Sequence, residues 1–310
     1  MNNRRDFIKT TGLVAAGSLL VPACSPSAKN ENTDSSQVTA SNEPPVLKAK
    51  WDIGIQLYTV RHQMADDLIG TIGKVAEVGY EHLELFGYAD RAYFGMPAND
   101  FYKMCRDQGL GISSSHHLTG RVGDPETQGT LKNGFEWAVE DALNAGQTHL
   151  VCPYLLPEER TSLDQYKELA EMLNKAGEVC KQADITFGYH NHAFEFEELD
   201  GQLPMYTILD ETDADLVKME LDIYWIIKSG NDPFEFFKKY PGRTELWHVK
   251  DLGNDGSTVA VGTGTIDYAP IFAAAGDSGL QKFFVEQDDS PDPLADIAVS
   301  HKAVTAILAG

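Results

Sequence analysis

Short apolar runs alternating with longer amphipathic stretches organise the chain from about residue 50 onwards. Eight runs read as strands: residues 52–58, 80–86, 110–115, 149–153, 185–190, 217–222, 245–249 and 282–286. Between them lie stretches with helical spacing, such as 68–78, 135–145, 163–183, 233–239 and 268–275. Strands joined by helical crossovers run parallel, and eight such units in roughly 250 residues predict a closed α/β barrel of the (β/α)8, or TIM-barrel, class. An open doubly wound sheet fits less well, because the first run continues as GIQLYTVR where a glycine-rich phosphate loop would stand.

The pattern fails before residue 50. The opening MNNRRDFIKTTGLVAAGSLLVPAC pairs Arg4 with Arg5, then shows Phe7, Lys9 and an apolar run from Leu13 to Ala23. That run is about half the roughly 20 residues of a spanning helix and stands where a cleaved export signal stands. Residues 1–24 are therefore expected to be a twin-arginine signal, directing the protein to the periplasm. Leu20 to Ala23 resemble a lipoprotein cleavage box, although Pro22 departs from it; cleavage there would leave a lipidated Cys24 as a membrane anchor. Residues 25–49 are polar, with almost no large apolar side chains, and are expected to be a disordered tether. Residues 50–310 form the expected barrel domain.

The formal net charge of -22 argues against a nucleic-acid partner, since an acidic surface repels phosphate backbones. With Cys24 set aside, Cys105, Cys152 and Cys180 are too few for a disulfide framework and are expected to be buried or free thiols.

Barrel chemistry sits at the C-terminal ends of the strands, and most of the runs close on polar residues there. These are Tyr58 and Arg61, Glu84, His116 and His117, His190 and His192, Asp222, His248 and Lys250, and Glu286. Alternation along a strand puts His190 and His192 on one face, His248 with Lys250, and Glu286 with Phe284 and Asp288. Four successive endings, His190, Asp222, His248 and Glu286, offer metal donors. Such mixed imidazole and carboxylate donors suit one divalent ion (Mn, Co, Mg, Zn or Fe) better than copper or an iron-sulfur cluster. Each residue also has a plainer reading: a strand-end Asp caps the next helix, and Lys250 pairs with Asp251 or Asp222.

The motifs GIQLYTVR (54–61), GYHNHAFEF (188–196), ELDIYW (220–225) followed by SGNDP, WHVKD (247–251) and VEQDD (285–289) give the chain a family resemblance. It resembles the xylose isomerase-like barrel superfamily, specifically the sugar phosphate isomerases/epimerases. The resemblance implies one divalent metal held by Glu, Asp, His and Glu from strands five to eight. Asp222, His248 and Glu286 match the last three positions; the first is replaced within YHNH, by His190 or His192.

The implied chemistry is removal of the proton beside a sugar carbonyl, with the metal stabilising the enediolate. Glu286 is the expected base, and His192, Glu195 or Lys250 the second catalytic group. Returning the proton makes a metal-dependent isomerase or epimerase, the leading expectation, with a lyase as second choice. Expelling a group makes a lyase or dehydratase, as in the inosose dehydratases and lyases of 3-keto-glycosides that resemble this superfamily. A sugar-binding lipoprotein without catalysis is the alternative from another class. Tyr58, Glu84, His116, His117 and Trp225 are the expected substrate contacts. No glycine-rich anion cradle or basic cluster stands in the sequence, so the small-molecule partner is expected to be a neutral sugar or oxidised glycoside.

Overall fold

The computed structural model describes residues 51–310; the expected signal, Cys24 and tether lie outside them. Eight parallel strands close into a barrel in chain order. They are β1 (Gly54–Gln56), β2 (His82–Leu85), β3 (Gly111–His116), β4 (His149–Cys152), β5 (Thr186–His190), β6 (Val217–Asp222), β7 (Thr244–Val249) and β8 (Lys282–Val285). Closure is made by β1 on β8, with Gly54 opposite Phe284 and Ile55 opposite Val285.

A helix follows each strand: α1 (Leu68–Val78), α2 (Ala98–Asp107), α3 (Phe135–Ala145), α4 (Leu163–Gln182), α5 (Pro204–Glu211), α6 (Pro233–Lys239), α7 (Tyr268–Ala273) and α8 (Pro293–Leu308). Their limits are written in side chains that satisfy free backbone groups. Asp67 accepts from Gly70 N–H to open α1, which stops at left-handed Gly79; Ser162 opens α4, and Asp232 and Pro233 open α6. The expected helix over 268–275 divides, α7 ending at Ala273 and a short helix covering Ala275–Ser278. Tyr58 lies past β1, in the 3-10 turn Leu57–Val60.

Strand alternation separates two environments. Leu83, Leu85, Phe187, Tyr189, Met219, Leu221, Trp247, Val249, Phe283 and Val285 join the large core shared with the helices. Val151, Leu246 and Phe284 form a small separate apolar cluster, contributed by the opposite faces of β4, β7 and β8. A Cβ on Gly54 would come within 2.3 Å of the His82 ring and 2.7 Å of Phe284, so β1 needs glycine where it passes these side chains. The same inward face carries the polar residues of the next section. Cys105, Cys152 and Cys180 are buried and unpaired. No described helix is long and apolar enough to cross a membrane.

Candidate active site

A cavity of about 500 Å³ opens at the C-terminal ends of the strands. Its β5–β8 side presents His190, His192, Lys250, Glu286 and Asp288, while its β1–β4 side presents Tyr58, Phe86, Leu118, Pro153 and Tyr154, with His116 the polar exception.

His248 is the centre of the polar side. Its ring is fully buried, with Nδ1 2.6 Å from Glu286 Oε2 and Nε2 2.6 Å from Glu84 Oε2. Below it, Glu84 and Glu220 are both fully buried. His116 Nε2 lies 3.1 Å from Glu84 and 2.9 Å from Glu220, and Gln56 donates to Glu84 at 2.9 Å. His190 faces both levels: Nδ1 is 3.2 Å from Glu220 Oε2, and Nε2 is 3.8 Å from Asp222 Oδ2.

Asp222 divides its two oxygens. Oδ1 caps the short helix Ile223–Lys228 by accepting Trp225 N–H at 2.9 Å, and Oδ2 lies 3.0 Å from Lys250 Nζ. Lys250 is 1% exposed and also meets Glu286 at 2.8 Å and Asp288 at 3.1 Å. Both plain readings, helix cap and ion pair, thus hold for Asp222, which lies fully buried behind the cavity-lining Lys250.

These contacts set the charges. Burial alone would lower the Lys250 pKa, but Asp222, Asp288 and Glu286 together raise it well above the ordinary value, so the group is an ammonium. Burial pushes Glu286 up, yet Lys250 and His248 outweigh it and hold the carboxyl well below its ordinary range. Burial and the neighbouring cationic groups push His190 well down and His192 down to about 3, leaving both rings neutral at pH 7. Asp222 is raised by burial to about 6, against the pull of Lys250 and His248.

The donor set fits a divalent ion. His190, Asp222 and His248 bring donor atoms within 4.8 Å of one another, and the buried Asp222 Oδ2 meets the Lys250 ammonium at 3.0 Å. Glu286, the fourth expected donor, stands outside this group and touches it through His248 Nδ1 at 2.6 Å and the Lys250 ammonium at 2.8 Å. A deeper group, Glu84, His116, Glu220 and His248, also converges within 4.8 Å. If His190 and His248 turn lone pairs towards the mouth, their remaining nitrogens face Glu220 and Glu84, the arrangement in which carboxylates orient metal-binding imidazoles.

The other expected contacts are spread more widely. His192 lines the cavity, packed by Tyr154 at 4.9 Å, Trp225 at 5.5 Å and Phe194 at 5.6 Å between ring centroids. Glu195 does not reach the cavity: it accepts from Tyr189 O–H at 2.7 Å and from His192 backbone N–H at 2.8 Å, bracing the loop that carries His192. His117 is buried between Ser115 and the Gly129 carbonyl, at 2.9 and 3.0 Å. Trp225 stands behind His192 and Glu84 beneath His248, so neither lines the cavity wall. Arg61 pairs with Asp289 and stacks over Tyr58.

Glu220, Gln56 and Tyr154 were not anticipated from the sequence. Glu220 was within reach, because it stands two residues before Asp222 on the same strand face.

Comparison with known proteins places this geometry. An inosose dehydratase from Clostridium perfringens is 29% identical over 157 residues, 44% of this chain and 50% of the relative. The chain spans about half the length of the curated relatives it matches. A sugar phosphate isomerase/epimerase from Parabacteroides distasonis superposes with a TM-score of 0.72 at 29% identity, covering 87% of this chain and 98% of that one. A xylose isomerase-like TIM barrel protein from Mycobacterium smegmatis, solved in complex with magnesium, shares the fold with a TM-score of 0.61 at 17% identity, over 84% and 97% of the two chains. Residues 72–301 match the family described as xylose isomerase-like TIM barrel, and the chain belongs to that family.

Proposed function

We propose that this chain is a divalent-metal-dependent sugar lyase: it removes the proton beside the carbonyl of a keto-sugar and expels the substituent β to it. The observation that carries the reading is the buried Glu286–Lys250 pair, 2.8 Å apart at the cavity floor, with an imidazole, His190, where the family places a second carboxylate. A bound ion would be held by His190, Asp222, His248 and Glu286, and would polarise the carbonyl and offset developing negative charge.

The chain's own groups supply the proton transfers. Glu286, a carboxylate, takes the proton from the carbon beside the carbonyl. The Lys250 ammonium gives a proton to the departing oxygen as the C–O bond breaks, and the products are an unsaturated keto-sugar and water or an alcohol. Glu286 then returns its proton to Lys250 across their hydrogen bond. The dehydratase relatives perform a reaction of this kind by name.

A second reading, isomerase or epimerase, is supported by the name of the Parabacteroides relative and by neutral His192 on the cavity wall, which could relay a proton back to carbon. The lone lysine of the wall is already shared among three carboxylates, which supports a neutral sugar over a phosphorylated one. Proton NMR in heavy water, with the metal-loaded protein and a panel of ketoses, inososes and 3-keto-glycosides, separates the readings. Release of water or aglycone with an unsaturated product supports the lyase; exchange with rearrangement only makes it an isomerase; binding without exchange makes it a sugar-binding protein. On the leader sequence we further propose periplasmic delivery with lipid attachment at Cys24. Replacing Arg4 and Arg5 by lysine should then retain the protein in the cytoplasm, and unchanged fractionation would refute the route.

A further inference from the structure

The cavity wall is divided by strand number, and we propose that the substrate is a glycoside whose apolar aglycone packs on the β1–β4 half while its sugar lies over the β5–β8 half. The inference rests on the keto-sugar reading above and names the substrate class for that site.

The two halves have different chemistry. Every lining residue from β5 onwards is ionisable: His190, His192, Lys250, Glu286 and Asp288. Opposite them, Phe86, Leu118 and Pro153 have no side-chain donor or acceptor and Tyr58 and Tyr154 present rings; the one histidine of this half, His116, has its Nε2 engaged by Glu84 and Glu220 below. Leu118 is 52% exposed and Tyr58 39% exposed, although most large apolar side chains of this domain are buried. Tyr58 meets the edge of Phe86 at 5.3 Å, and Phe86 meets Phe94 at 5.0 Å, so the Tyr58 end of this half is a supported aromatic surface.

A free monosaccharide carries hydroxyls around its whole rim. Those turned to Phe86, Leu118 and Pro153 would lose water and gain no partner. An apolar substituent at that position gains from the same burial. The volume of about 500 Å³ suits a ligand larger than one sugar ring, within the range of sites that enclose drug-sized molecules.

The test compares methyl and cyclohexylmethyl 3-keto-glucosides, whose leaving alcohols have similar acidity, so that a difference reads binding and not bond cleavage. With the metal-loaded full chain, kcat/KM should favour the cyclohexylmethyl substrate by about tenfold or more, carried by KM. Leu118→Ser, at a half-exposed side chain outside the buried core, should bring that ratio towards one. Equal rates in the wild type, or a preference for methyl, would overturn the inference while leaving the lyase reading intact. If neither substrate is turned over, calorimetry with the same two compounds decides: tighter binding of cyclohexylmethyl supports the aglycone wall and removes the enzyme reading, whereas equal or absent binding overturns the wall.

Discussion

His248 and Glu84 lie 2.6 Å apart, ring Nε2 to carboxylate Oε2, at the buried base of the cavity. Glu84 and Glu286 together hold His248 protonated on both nitrogens; with an ion bound, Glu84 would keep the Nε2 proton and Nδ1 would be free to donate its lone pair. Replacing Glu84 by Gln keeps the shape but exchanges a charged acceptor for a neutral one. Affinity for manganese or zinc should fall about 10- to 100-fold, by competition with a chromophoric chelator. Unchanged affinity would mean that Glu84 serves only the buried network with His116 and Gln56.

Glu286→Gln tests the base directly. The amide can still accept from Lys250, so folding should survive, while proton exchange beside the substrate carbonyl should drop by about 10² to 10⁴. Exchange at the wild-type rate, followed by proton NMR in heavy water, would pass the role to His192.

Asp222→Asn separates the ion from the helix cap. The amide oxygen can still accept Trp225 N–H, as Oδ1 does, but the donor facing His190 and Lys250 loses its charge. Adding the ion at 100 times its dissociation constant should stabilise the wild type by about 2.7 kcal/mol in thermal melts. That gain should vanish in the variant; an equal gain in both would move the ion away from Asp222, for instance to the deeper group of Glu84, His116, Glu220 and His248.

Much of this architecture is legible in the chain because both of its signals are local. Alternation within ELD and WHVK shows which side chains share a strand face, and the strand ends emerge within one or two residues of the structure: 217–222 coincides with β6, and 149–153 overshoots β4 by one residue. Depth is less legible. Glu84 closes an apolar run just as Glu286 does, yet Glu84 lies under His248 and Glu286 lines the cavity, because strand stagger around the barrel sets the height of each ending and no single strand encodes it. Glu195 stands in the same HAFEF loop as His192, but a turn at Phe194–Phe196 sends its carboxylate back to Tyr189. Leu118, Pro153 and Tyr154 come from loops without periodicity, and only the closed barrel brings them to one wall.

Glu195 also gives the fold a pH dependence that can be isolated. Burial raises its carboxyl from 4.5 to about 7, against the stabilising hydrogen bonds from Tyr189 O–H and His192 N–H. Between those values the folded chain keeps a proton that the unfolded chain has released, so stability falls as pH rises through the window. The fall amounts to roughly 3 kcal/mol once both states are ionised. Glu195→Gln cannot titrate; it loses part of one hydrogen bond at every pH and should be less stable than the wild type at pH 5. The wild-type advantage should then shrink steadily towards pH 8 in urea melts at the two ends of the range. Asp222, raised to about 6, titrates in both proteins and cancels from the difference. A difference that stays constant from pH 5 to 8 would show that Glu195 ionises in the folded chain as it does in water.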